Sequence, residues 1–191
     1  MVAALFVRAD SIYKTIEGVD TWDVVRDARK YAGPHPVICH PPCRCWGTLR
    51  AFAKGDDEEK NLAVLAVEFL RRWGGVLEHP YRSTLWTACG LPRPGQGMDR
   101  YGRFAIDLDQ HWFGHRAQKR TWVLISGCQI TQLPPLPFAI GQAPRVITNV
   151  HGLRKGDPRY RKEVTKRERE ATPPAFAAWL VAVAKLCRPK S

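Results

Sequence analysis

Residues 56–80 read Asp-Asp-Glu-Glu-Lys-Asn-Leu-Ala-Val-Leu-Ala-Val-Glu-Phe-Leu-Arg-Arg-Trp-Gly-Gly-Val-Leu-Glu-His-Pro, and this stretch decides the fold class. Apolar residues at 62, 65, 66, 69 and 70 recur at helical spacing. The acids at 56–59 suit the positive end of a helix dipole, and Arg71-Arg72 suit the negative end. The pattern predicts a helix over Asp56–Trp73, stopped by Gly74-Gly75, with Val76-Leu77 opening a strand. A helix that runs straight into an apolar strand is half of a β-α-β unit.

Working outward, Pro36-Val37-Ile38-Cys39 reads as a short strand before that helix, and Ala3–Val7 as a first strand. Asp20–Lys30 reads as a helix, or as a strand followed by one, and Thr121–Ile125 as a buried strand ending at Gly127. Leu133–Tyr160 is rich in Pro, Gly and basic residues and reads as a long loop, with a short strand at Val146-Ile147-Thr148. Pro173–Leu186, apolar at 176, 179, 180, 183 and 186, is a second helix. Strands alternating with helices predict an α/β fold with a mostly parallel sheet, built as one domain over 1–191 with 128–165 as a basic loop region.

A chain of 191 residues, 45% hydrophobic and 25% charged, suits a single core. No apolar run is long enough for a bilayer, so no membrane partner is expected. Met1–Val7 lacks the basic lead and cleavage site of a signal peptide. The six cysteines, at 39, 43, 45, 89, 128 and 187, are therefore read as reduced thiols of a cytoplasmic protein. The net charge of +12, from 30 Lys and Arg against 18 Asp and Glu, points to a polyanionic partner, nucleic acid above all.

Three segments carry chemistry. Cys39-His40-Pro41-Pro42-Cys43-Arg44-Cys45-Trp46-Gly47 follows a strand, as does Glu78-His79-Pro80. Trp112-Phe113-Gly114-His115-Arg116-Ala117-Gln118-Lys119-Arg120-Thr121-Trp122 runs into one. Reactive groups of open α/β sheets gather at the carboxyl ends of strands. A thiol and a carboxylate at neighbouring strand ends, with an arginine close by, make a nucleophile, a proton donor and a charge stabiliser.

These segments resemble the cytosine-5 DNA methyltransferases, and more nearly the small phage and prophage proteins with His-Pro-Pro-Cys and Trp-Phe-Gly-His segments. Pro41-Pro42-Cys43 is similar to the family's Pro-Pro-Cys loop, and Leu77-Glu78-His79-Pro80 to its Glu-Asn-Val segment. Gln118-Lys119-Arg120 is similar to its Gln-x-Arg-x-Arg segment, and Thr172–Ala177 to its last motif. The resemblance implies a trimmed, Rossmann-like methyltransferase domain acting on a pyrimidine in nucleic acid, DNA above all. It implies that Cys43 adds to carbon 6, that Glu78 holds the nitrogen 3 edge and supplies a proton, and that Arg120 steadies the developing charge. Pro41, Pro42, Arg44, Trp46, His79, Gln118 and Lys119 are expected around the base, with Trp46 or Trp112 filling the gap that an extruded base leaves. Phe6, Asp10, Ser11, Asp23 and Pro174 are expected around S-adenosylmethionine.

The chain departs from the family in three places. No glycine precedes Gly18, where the family has a Gly-rich cofactor turn; Trp122 replaces the second arginine; and no recognition domain lies between Gly127 and Thr165. In that region Arg145, Arg154, Lys155, Arg159, Arg161 and Lys162 offer phosphate contacts or a merely solvated basic face. Two further readings follow: a non-catalytic nucleic-acid binder derived from a methyltransferase, and covalent chemistry on a free pyrimidine nucleotide with another one-carbon donor. Cys39, His40, Cys43 and Cys45 lack the paired Cys-x-x-Cys spacing of zinc sites, so even with His111 and His115 nearby no metal is expected.

Overall fold

Helix α1 (Asp57–Trp73) forms where its periodicity places it. Asp56 caps it by accepting the Glu59 N–H at 2.8 Å, and Gly74, at φ 68°, ends it. The computed structural model describes residues 1–48, 50–148 and 153–189.

The strands are β1 (Val2–Leu5), β2 (Val19–Trp22), β3 (Val37–Cys39), β4 (Gly75–Pro80), β5 (Arg103–Asp109) and β6 (Arg120–Ser126). They form one sheet in the order β2-β1-β3-β4-β6-β5. β2, β1, β3 and β4 pair in parallel, while β6 runs antiparallel to both β4 and β5. The protein is therefore α/β with a mixed, mostly parallel sheet, compatible with a Rossmann-like fold. The chain steps from β1 outward to β2, then back across to β3, so the strand order reverses between β1 and β3. Crevices at such reversals are where open α/β sheets bind ligands.

Both faces of the sheet are covered, as buried parallel strands require. Val76, Val123 and Ile125 meet Phe176, Leu180 and Val183 of α4 (Pro174–Leu186) on one face. On the other, Leu77 and Leu124 meet Ala66 and Leu70 of α1. Gly75 has no substitute at the start of β4: a Cβ there would stand 1.9 Å from the Val37 carbonyl oxygen.

Several expectations change. Asp20–Lys30 contains β2 but no α-helix, only a 3-10 turn at Ala28–Lys30. Asp23 bonds the N–H groups of Val25 and Arg26, and Asp27 that of Arg29, so side chains take the donors that a helix would use. The strand at 146–148 shrinks to a single bridge between Val146 and Glu163. β5 and the short helices α2 (Leu85–Ala88) and α3 (Lys166–Glu170) were not anticipated. Among the described residues no helix is long and apolar enough to cross a membrane.

Candidate active site

β3 and β4 lie side by side in parallel, with Cys39 level with Leu77. The loop after β3 and the last residues of β4 consequently leave the same edge of the sheet. His40 extends the β1–β3 pairing by one bond, its N–H reaching the Leu5 carbonyl at 3.1 Å. Buried Pro41 and half-buried Pro42 stiffen the exit, and Cys43 opens a turn whose carbonyl accepts the N–H groups of Trp46 and Gly47 at 3.0 Å. The Trp46 carbonyl accepts from Thr84 N–H at 3.0 Å, tying this loop to the one after β4.

Side chains alternate along β4, so Val76 and Glu78 face α4 while Leu77 and His79 face α1. Glu78 is held by three side chains from three separate segments. Its Oε2 meets His40 Nδ1 at 3.1 Å, and its Oε1 accepts from Gln110 Nε2 at 3.1 Å and Thr121 Oγ1 at 3.2 Å. Gln110 also donates to Thr121 Oγ1 at 2.9 Å. Behind His40, its Nε2 shares a 2.9 Å hydrogen bond with the hydroxyl of fully buried Tyr13. Burial alone would favour the neutral acid, but the His40 hydrogen bond and the charges of Lys119 and His40 outweigh it and hold Glu78 down at about 2. Glu78 is thus a carboxylate at neutral pH, not the resting acid that the sequence suggested.

Cys43 is open to solvent on one side. The protein mass beneath it and the negative charge of Glu78 push its thiol up to about 11, against the pull of Lys119. Cys43, Glu78 and Lys119 therefore lie within one another's electrostatic reach. Among the described residues no base is hydrogen-bonded to the sulfur, so the free thiol is unactivated.

The structure separates other expected residues from this group. Arg120 points to the opposite face of β6 because neighbours on a strand alternate; it ion-pairs with Asp107 and lies 3.8 Å over the ring of Tyr81. The cation of the site is Lys119 instead. Trp46 is a core residue, 5% exposed, with its indole N–H on the Lys60 carbonyl at 3.1 Å, so it is not free to fill a base stack. Trp112 is half-buried beside Phe138, with ring centres 5.0 Å apart. Arg44 turns away to ion-pair with Glu59 on α1, and Gln118 is exposed. His79 lies beneath the loop on the α1 face, fully buried, its Nδ1 sharing a 2.7 Å bond with Ser83 Oγ. Burial drives its pKa down to about 4, against the pull of Glu78 and of the Pro42 backbone, so it is neutral. Cys39 faces α1, with Sγ 3.9 Å from the Ala66 carbonyl, apart from Cys43.

The residues expected around S-adenosylmethionine do not fit that group. Asp23 stands just after β2, where a ribose-binding acid belongs, but Lys14 Nζ occupies Oδ2 at 2.7 Å and two backbone N–H groups occupy Oδ1. Asp10 is held by Arg8 at 2.8 Å and Arg167 at 3.6 Å, and Ser11 caps the turn at Tyr13. Phe6 takes φ 59°, a strained turn in place of a glycine cradle, and its ring lies 6.3 Å from Phe69. Pro174 serves as the first residue of α4.

Compared with family models and with curated proteins, the chain matches none. Sequence reasoning found Cys43, Glu78 and Lys119 but missed Tyr13, Gln110 and Thr121. It considered His40 only as a metal ligand. Its place beside the Pro-Pro-Cys turn was the one available signal.

Proposed function

We propose that the protein is a pyrimidine-directed enzyme of nucleic acid, akin in its covalent step to the cytosine-5 DNA methyltransferases. The observation that carries this reading is the arrangement of Cys43 and Glu78 at the carboxyl ends of adjacent parallel strands, under the shared charge of Lys119. In this reading Cys43 Sγ adds to carbon 6 of the ring, and the displaced electron pair moves toward nitrogen 3 and carbon 5. Glu78 faces the nitrogen 3 edge, and Lys119 balances the charge that builds as the thiol ionises. The net charge of +12 supplies attraction to a phosphate backbone. Part of the basic loop serves the protein's own structure, since Arg161 donates to the Ala143 carbonyl at 2.8 Å and Arg159 pairs with Asp157 at 3.1 Å.

Asp23 and Asp10 are already paired with Lys14, Arg8 and Arg167, so neither offers S-adenosylmethionine a free carboxylate. That commitment, with the unactivated thiol, favours as a second reading a methyltransferase-derived binder that keeps only the basic surface.

Trapping discriminates. DNA in single and double strands, RNA and free nucleotides, each carrying 5-fluorocytosine, are incubated with the protein and S-adenosylmethionine as carbon-5 electrophile, because the thiol adduct reverses unless a group is added at carbon 5, and analysed by intact mass. A stable adduct on Cys43, absent from Cys43→Ala, supports catalysis; no adduct with any substrate leaves the binder.

A further inference from the structure

Glu78 alone cannot serve the chemistry assigned to it. A carboxylate held by three protein donors has no proton of its own for ring nitrogen 3. Of its three partners, the amide of Gln110 and the alcohol of Thr121 are far too weak as acids to give up a proton, which leaves His40, whose two nitrogens bridge Tyr13 Oη at 2.9 Å and Glu78 Oε2 at 3.1 Å. Resting on the reading above, we propose that His40 is a positioning residue that stores the proton Glu78 passes to the base, with Tyr13 closing the other end of the chain.

The hydroxyl of Tyr13 makes this storage possible. Its oxygen accepts from Nε2–H both while the imidazole is charged and after Nδ1 has given up its proton, so His40 changes state without losing that hydrogen bond. Burial pushes the Tyr13 phenol well above its ordinary range, which keeps that hydroxyl protonated. The titratable groups that meet His40 are Tyr13 on the turn after β1 and Glu78 on β4, and neutral His79 lies within reach of a charge on His40. Lys119 acts on the same pair through Glu78.

The step balances. The Cys43 thiol releases its proton to water on its open side, and the Sγ–C6 bond forms. The ring's π electrons move toward nitrogen 3, which takes a proton from Glu78. Glu78 in turn takes the Nδ1 proton of the imidazolium, leaving neutral His40 with Nε2–H on the Tyr13 oxygen. Elimination runs the same transfers backward. A base whose nitrogen 3 carries no hydrogen, as in cytosine, is the substrate class this chain serves.

The test compares wild type, His40→Gln and Tyr13→Phe in forming the 5-fluorocytosine adduct across pH. His40→Gln is expected to slow the adduct step roughly a hundredfold and remove one limb of the wild-type pH profile, with the half-saturating DNA concentration unchanged. Tyr13→Phe is expected to retain the limb and lose about threefold in rate. Carbon-13 titration of the Glu78 carboxyl, which needs no substrate, is expected to move up by about a unit in His40→Gln. An unchanged rate and pH profile in His40→Gln, beside a trapping wild type, would overturn the proposal and spare the proposed function. An unmoved Glu78 titration would overturn it as well. Failure of wild type to trap any base removes both.

Discussion

Thr121 Oγ1 stands 3.2 Å from Glu78 Oε1 across the β4–β6 pairing, whereas Arg120, one residue earlier, leaves by the other face. Position along β6 thus decides which side chain serves the site. Lys119→Ala should slow Cys43 adduct formation about tenfold or more, because it removes the charge that favours both anions. Arg120→Ala should change it less than about threefold. Rates of 5-fluorocytosine trapping check the contrast, and a larger loss in Arg120→Ala would contradict it.

Burial and Glu78 both raise the Cys43 thiol, to about 11. Removing the carboxylate charge should lower that value, so Glu78→Gln should alkylate faster at Cys43 with iodoacetamide at pH 8, by several-fold or about tenfold. Peptide mass spectrometry resolves Cys43 from the other cysteines. Slower alkylation in Glu78→Gln would show that the two groups are not electrostatically linked.

Stability should fall on acidification in two windows. His79 drops from 6.5 in the unfolded chain to about 4 when buried, so the unfolded state binds more protons between those values. Its contribution is present above pH 6.5 and lost as pH falls toward 4, at a cost of about 3 kcal/mol. Glu78 adds a second loss between 4.5 and about 2. Urea denaturation between pH 7 and 4 measures the first window, and His79→Gln should flatten it.

Gly75→Ala should destabilise the fold by about 3 kcal/mol or more, since its Cβ would meet the Val37 carbonyl oxygen at 1.9 Å at a backbone angle, φ 123°, that alanine resists. Urea midpoints of the variant and wild type check this.

Trp46→Ala should cost about 3–5 kcal/mol in stability through the cavity it leaves. Trp46→Phe, which keeps most of the packing, should trap pyrimidine at close to the wild-type rate. A tenfold loss in Trp46→Phe would restore Trp46 to the substrate.

The periodicity of Asp57–Trp73 and Pro174–Leu186 was legible because helical repetition and end signals are local. Strand β5 was not read, although Phe104, Ile106 and Leu108 alternate with smaller or polar neighbours. The pairing that makes it a strand comes from β6, on the far side of a turn. The same distinction governs the site. Cys43 and Glu78 stood out through motif order, but Arg120 was preferred to Lys119 and Thr121 because which face a side chain takes depends on strand register. Tyr13 reaches His40, and Gln110 reaches Glu78, only once β1, β3, β4 and β5 are assembled, and no spacing rule encodes that convergence.

The placement of β6 between β4 and β5 bears on how the chain is made. The last strand synthesised is an interior one. Until it arrives, β4 carries an open edge of unpaired backbone groups, a template for faulty association between nascent chains. Cys43 and Glu78 emerge early, yet Gln110 and Thr121 come only with the final hairpin, so a chain interrupted near residue 102 would hold both without the donors that Glu78 takes from that hairpin. The hydrogen-bonding shell of Glu78 is therefore finished only when the sheet is.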